Sequence, residues 1–301
     1  MRRLTLAYFA VVFAWAGSGW TEDSGRLIAE RVQRLKADTP WAALREIPLQ
    51  FDAFHAQGMA IVNGEFFVSS VEVIDRAKGL GRGHIFKVDA QGNLRAQVEL
   101  TDGPRYHPGG IDFDGSRLWV PVAEYRPDSS SVIYTLDPKT LTPREMLRVS
   151  DHIGAVTYDP DSGTVVAASW GSRRFYHWQR ADAGEEIRIG DATAPAALNQ
   201  AHYIDLQDGQ WLPGTSLMLC GGLRNYRGPR GNFALGGLEL IDMKTLSAVH
   251  QVPVPLWEPG GRPMTQNAFA VEATDEGLRF CFLPADGRAT IYVYEPAIGG
   301  K

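Results

Sequence analysis

The sequence predicts an all-β fold: a five-bladed β-propeller closed by an N-terminal strand and preceded by one helix. Three observations point there. A strand–turn–strand unit recurs every ~50 residues, the spacing of propeller blades. Its clearest copy is His107-Pro-Gly-Gly-Ile-Asp-Phe-Asp-Gly-Ser-Arg-Leu-Trp-Val120, and weaker copies begin at His55, His152, Gln200 and Thr265. Within the unit, the turn Ile241-Asp-Met-Lys-Thr-Leu246 nearly repeats Leu136-Asp-Pro-Lys-Thr-Leu141. Finally, the last unit lacks its outer strand, while an unpartnered strand stands near the N-terminus. Joining the two closes the ring and removes both open edges. The alternative is a ring of six blades, with an irregular one hidden in 254–266.

The chain begins with Arg2-Arg3, an apolar run from Leu4 to Phe13, and the small-x-small site Ala14-Trp15-Ala16. This is the pattern of a cleaved signal peptide over residues 1–16, and the run is shorter than the roughly 20 residues of a membrane span. A retained N-terminal anchor is the alternative. The expected location is periplasmic or secreted, with no stable membrane span after cleavage. With 301 residues, 44% hydrophobic and 22% charged, the rest is an ordinary globular chain. Its net charge of −5 argues against duplex nucleic acid as a partner.

Residues 17–44 read as a helix and linker, and 45–301 as one propeller domain. From Thr21 to Lys36, Asp23 and Ser24 offer N-cap oxygens and Leu27, Ile28, Val32 and Leu35 make an apolar stripe. This helix is expected to pack only on the outside, so that removing residues 17–40 costs far less than removing the closing strand as well. The unpartnered strand is Glu46–Phe51. Four strands are then predicted per blade: 59–62, 65–73, 84–88 and 94–100; 111–113, 118–123, 132–136 and 145–149; 156–158, 165–169, 175–179 and 186–189. The fourth blade takes 204–206, 217–220, 237–241 and 248–254. The fifth has 269–273, 278–283 and 290–294. Cys220 and Cys281 fall in strands of different units, where they read as a disulfide or as two buried small hydrophobes.

In such a ring the linkers that lead into the innermost strands open on one face, at the mouth of the central channel. His55, His107 and His152 stand on three successive linkers. Three imidazoles with an open position suit a divalent transition metal, zinc or iron; the other reading is that each ring fixes its own linker. Glu72 and Glu124 occupy equivalent positions and are the candidate general bases, or would complete the metal site. Loops on the same face carry many arginines, of which Arg126, Arg173 and Arg224, with His202, are the candidate contacts to a small anionic ligand. Asp112 and Asp205 either face the channel or support linkers. Tyr125, Trp170, Tyr176, Trp178 and Tyr226 offer stacking surface or blade packing. No nucleotide cofactor is expected, because no Gly-rich fingerprint precedes a helix.

His107-Pro-Gly-Gly-Ile-Asp-Phe-Asp-Gly, with Asp151-His-Ile-Gly-Ala and Trp170-Gly-Ser-Arg-Arg-Phe, resembles a family of exported bacterial propellers of unknown function. The resemblance covers most of 45–296. More distantly the blade pattern is similar to gluconolactonase and strictosidine-synthase-like propellers, whose sites lie at the channel mouth. Those have a Glu/Asn/Asp metal set that this chain does not reproduce, so their activity does not transfer residue by residue. Two functions are therefore weighed: a metal-assisted hydrolase or lyase acting on a small anionic substrate, and a non-catalytic propeller that captures a ligand or partner.

Overall fold

A computed structural model describes residues 21–180, 196–229 and 231–298. The expected signal peptide and the strand Glu186–Ile189 lie outside the described residues. Five antiparallel sheets form five blades, in sequence order around the ring. The first is His55–Val62, Glu65–Asp75, Leu80–Val88 and Leu94–Glu99. In the second, Leu118–Glu124 pairs with both Arg105–Pro108 and Asp112–Phe113, then with Ser131–Leu136 and on to Pro143–Val149. The third runs Ile153–Asp159, Thr164–Ser169 and Arg174–Gln179, and its described outer strand is Ala197–Leu198. The fourth is Asp205–Trp211, Leu217–Gly228, Gly231–Asp242 and Ser247–Val254. The fifth takes Ala268–Ala273, Leu278–Leu283 and Thr290–Pro296, and its outer strand is Trp41–Pro48.

That N-terminal strand pairs antiparallel with Thr290–Pro296, from Trp41 opposite Pro296 to Pro48 opposite Thr290. It closes the ring as expected, but starts earlier than Glu46, inside the segment read as linker. The stretch 254–266 holds only the isolated bridge between Trp257 and Pro263, so no sixth blade exists there.

The helix spans Glu22–Val32 and is capped by Thr21, not by Asp23 or Ser24. Ser24 instead sits at the third helical position, where its side chain and that of Thr21 each bond the other's backbone. The expectation that this segment only packs on the outside also needs correction. Ile28, Ala29, Val32 and Leu35 are at most 5% exposed and join a core with Leu219, Leu238, Leu240, Phe269 and Phe280. The helix seals the fourth and fifth blades.

Inside the ring, neighbouring blades pack through flat apolar faces. Trp119 of the second blade lies 4.4 Å, ring to ring, from Tyr158 of the third, and its indole N–H donates to Asp114. At the axis, polar side chains fill the channel. Asp208, wholly buried, accepts the backbone N–H groups of Met59, Ile111, Gly209 and Phe269 at 2.8–3.2 Å, tying four blades to one carboxyl group. Asp112 accepts from Phe113, Tyr158 and Trp211. The Gln210 amide donates to Met59 and Phe269 carbonyls. Inner strands come this close because glycine allows it: a Cβ on Gly58 would strike the Ile111 nitrogen and the Gly110 Cα. Both cysteines are free and buried, consistent with small hydrophobes.

Candidate functional site

Above this polar plug the channel widens into a pocket of about 180 Å³. His55, Gln57, His107, Tyr125, His152 and Trp170 line it, with Asp205 and Gln207 opposite them in sequence from the fourth blade. The three linker histidines thus meet at one cavity. The inner strands fix their spacing: His55 begins the first blade's inner strand, His107 lies in the paired Arg105–Pro108, and His152 immediately precedes Ile153–Asp159.

Hydrogen-bond chemistry assigns two of the three tautomers. The His55 Nδ1 is 2.8 Å from Asp286 Oδ1, and an ionised carboxylate only accepts, so Nδ1 carries the proton. The His55 Nε2 is 2.7 Å from the Gln57 amide nitrogen, which also donates to the Ala56 carbonyl. That nitrogen is a donor, so the His55 Nε2 holds a lone pair. The His152 Nδ1 lies 2.8 Å from the Glu124 carbonyl oxygen, which likewise places the proton on Nδ1 and the lone pair on Nε2. His107 differs. It is 4% exposed, and its Nδ1 is buried without a hydrogen-bond partner.

Burial pushes the His107 pKa well below its ordinary value, and the neighbouring His152 and His55 add to the effect. Burial also lowers His152, against the opposing bond to the Glu124 carbonyl. Both rings are therefore neutral at neutral pH, the form that accepts hydrogen bonds or ligates metals. Burial works to raise the Asp286 carboxyl, but the bond from His55, the charges of His55 and Arg262 and the Asn267 amide together outweigh it and hold Asp286 below the usual range.

The imidazoles are not equally close to one another. His107 and His152 lie 5.4 Å apart, centroid to centroid, while His55 meets Tyr125 at 6.3 Å. Tyr125 also touches His107 at 4.2 Å and Trp170 at 6.1 Å, forming an aromatic wall. Among the described residues no three His, Cys, Asp or Glu side chains are grouped so as to hold an ion. A metal here would require the His55 ring to leave Gln57.

The other expected site residues lie around the rim and are engaged there. Glu72 faces His84 at 3.1 Å and Arg82 at 3.7 Å, outside the pocket lining. Glu124 pairs with Arg126 at 2.7 Å and accepts from Ser130 at 2.6 Å. Burial alone would raise the Glu124 carboxyl, yet Ser130 and Arg126 outweigh it and lower its proton affinity. Its contribution to the pocket is the backbone carbonyl beneath His152. Arg173 pairs with Asp205 at 3.1 Å, and Asp205 also bonds the His202 ring at 2.8 Å. Arg224 donates to the carbonyls of His202 and Tyr203. Asp205 proves to line the pocket, whereas Asp112 belongs to the plug below.

Gln57, Gln207 and Asp286 were not singled out from sequence. Gln57 is two residues beyond His55 on the inner strand, so period-two alternation was the available signal. Asp286 has none, because it reaches His55 only after the fifth blade closes against the first.

Fold and site together define a β-propeller with an imidazole-lined pocket at one end of its channel. The chain belongs to a family of unknown function, DUF6454, whose model matches residues 23–299. No curated protein matches it. Among solved structures it is similar to the major Malassezia sympodialis allergen Mala s 1, at 12% identity and TM-score 0.48 over 80% of this chain and 77% of that one. A hypothetical protein from Leishmania major aligns at 11% identity and TM-score 0.47, covering 86% and 93%. A luciferin-regenerating enzyme aligns at 10% and 0.44, covering 80% and 76%. Likenesses of this depth carry nothing about function.

Proposed function

We propose that this protein is an exported enzyme, a hydrolase or lyase for a small ligand held in the channel-mouth pocket, with His55 moving the proton. The observation that supports this most is the hydrogen bond from His55 Nδ1 to Asp286 Oδ1 at 2.8 Å. A carboxylate on one ring nitrogen fixes the tautomer and stabilises the imidazolium that forms when the other accepts a proton. The Nε2 lone pair is held by Gln57, a pocket-lining residue, and a ligand O–H takes the place of that amide. A positioned acid–base group of this kind contributes about 10²–10⁴-fold in rate. Export rests on the signal-peptide pattern of residues 1–16.

The test is a turnover screen of small esters, lactones and hydroxy acids, with His55→Asn in parallel. The reading expects turnover that falls about 10²–10⁴-fold in kcat with KM little changed. Ligand capture without turnover would leave a binding propeller instead.

A second reading keeps His55, His107 and His152 as ligands to zinc or iron. It is favoured by the buried, unpartnered His107 Nδ1 and by the second-sphere contacts that hold Nδ1 of His55 and His152. Elemental analysis of protein purified without a His-tag decides it. Stoichiometric metal supports this reading, and a trace after attempted reconstitution removes it.

A further inference from the structure

The arginines of the mouth divide by what they already hold. Arg82, Arg126, Arg173 and Arg174 each face a carboxylate, and Arg224 is bound to carbonyl oxygens. Arg76 is different. It stands in the tight turn Arg76–Lys78, at the tip of the long hairpin formed by Glu65–Asp75 and Leu80–Val88. It is exposed, and its guanidinium carbon lies 4.1 Å from the centroid of Tyr125. Among the described residues it meets no carboxylate. A guanidinium seated on an aromatic face keeps in-plane N–H donors free for a planar anion.

The cavity beside Tyr125 offers the complementary chemistry. Of its lining side chains only Asp205 carries a fixed charge, and Arg173 already balances it. Among the polar atoms that a ligand can engage are two acceptors, the Nε2 lone pairs of His152 and, once Gln57 is displaced, of His55. At about 180 Å³ the cavity is well below the ~300 Å³ where ordinary ligand pockets begin. It fits a molecule of few non-hydrogen atoms.

We propose that the ligand is a small hydroxycarboxylate: its carboxylate is anchored by Arg76 at the rim, and its hydroxyl donates to imidazole inside the pocket. This rests on the pocket being the functional site, as argued above, and adds the substrate class. Arg76 is the specificity residue, and Tyr125 positions it.

Calorimetric titration of the full chain with glycolate, acetate and ethylene glycol tests the proposal, because each of the last two lacks one half of the pair. Glycolate is expected to bind in the millimolar range or tighter, and more tightly than either. Arg76→Gln should weaken glycolate at least about tenfold, leaving ethylene glycol unchanged. Arg76→Lys should recover part of the loss, since it restores charge without the planar fork. Arg126→Gln should change nothing, its guanidinium being committed to Glu124. The proposal is overturned if wild-type protein ignores glycolate, if acetate binds as well, or if Arg76→Gln binds glycolate normally. Failure of the enzymatic reading is separable: glycolate binding that depends on Arg76, with no turnover in any assay, sinks catalysis and leaves this subsite standing.

Discussion

The Asp208 carboxyl group ties backbone groups of four blades to one point in the channel. Each oxygen of Asp208 accepts two backbone N–H groups, Met59 and Phe269 on one and Ile111 and Gly209 on the other. Asp208→Asn turns one oxygen into a donor and leaves two buried amides without an acceptor, at about 1–3 kcal/mol each. Urea unfolding should therefore show a loss of about 2–6 kcal/mol; a loss within error of zero would mean that the plug does not brace the blades. Residues of this kind separate what sequence can and cannot reveal. His55, His107 and His152 were legible because a repeat marks equivalent positions. Asp208 and Asp286 were not, since their partners on other blades lie 61–231 positions away along the chain and become neighbours only in the closed ring.

At the level of elements, blade count and order were legible in the turn chemistry and spacing, including the need for an N-terminal strand to complete the last blade. Strand limits were less so. Trp41–Pro48 begins in a stretch with no alternation, because its side chains are mostly exposed on the ring's outer edge. The helix was found but its weight was misjudged, since an apolar stripe says nothing about how deep its partner groove is. Ile28 is 1% exposed against the fourth- and fifth-blade core. Ile28→Ala should cost about 2–5 kcal/mol, and deletion through Lys36 should lower the melting temperature markedly. Deletion through Pro48 should go further, to loss of fold or aggregation, by baring the edge of Thr290–Pro296. Tolerance of the longer truncation would contradict the closure.

For the molecule as a whole, burying carboxyl groups links stability to pH. Burial raises Glu239 to about 7 and Asp112 to about 7. A carboxyl whose folded pKa lies above its unfolded one contributes stability that is fully present below the unfolded pKa and is lost as pH rises through the folded value. Glu239→Gln mimics the protonated form permanently. Relative to wild type it should gain about 3 kcal/mol as pH rises from about 4.5 to beyond about 7. Paired denaturation curves at acid and alkaline pH measure this, and a difference that stays constant with pH would contradict it. The buried histidines act in the opposite sense. His107 and His152, both lowered, contribute stability above their unfolded pKa that is lost as pH falls through the folded values.

The ring's purpose, on this account, is to bring imidazoles from separate blades to one cavity with their accepting nitrogens available. Nitrogen-15 spectra of the histidine side chains at neutral pH test that claim most directly, because ring shifts distinguish the two neutral tautomers from imidazolium. The account predicts Nδ1-protonated rings for His55 and His152 and a neutral ring for His107, with the His55 signal disturbed in Asp286→Asn. A proton on Nε2 of His55 and His152 would leave the pocket without its two acceptors and would contradict both the proposed proton transfer and the proposed ligand.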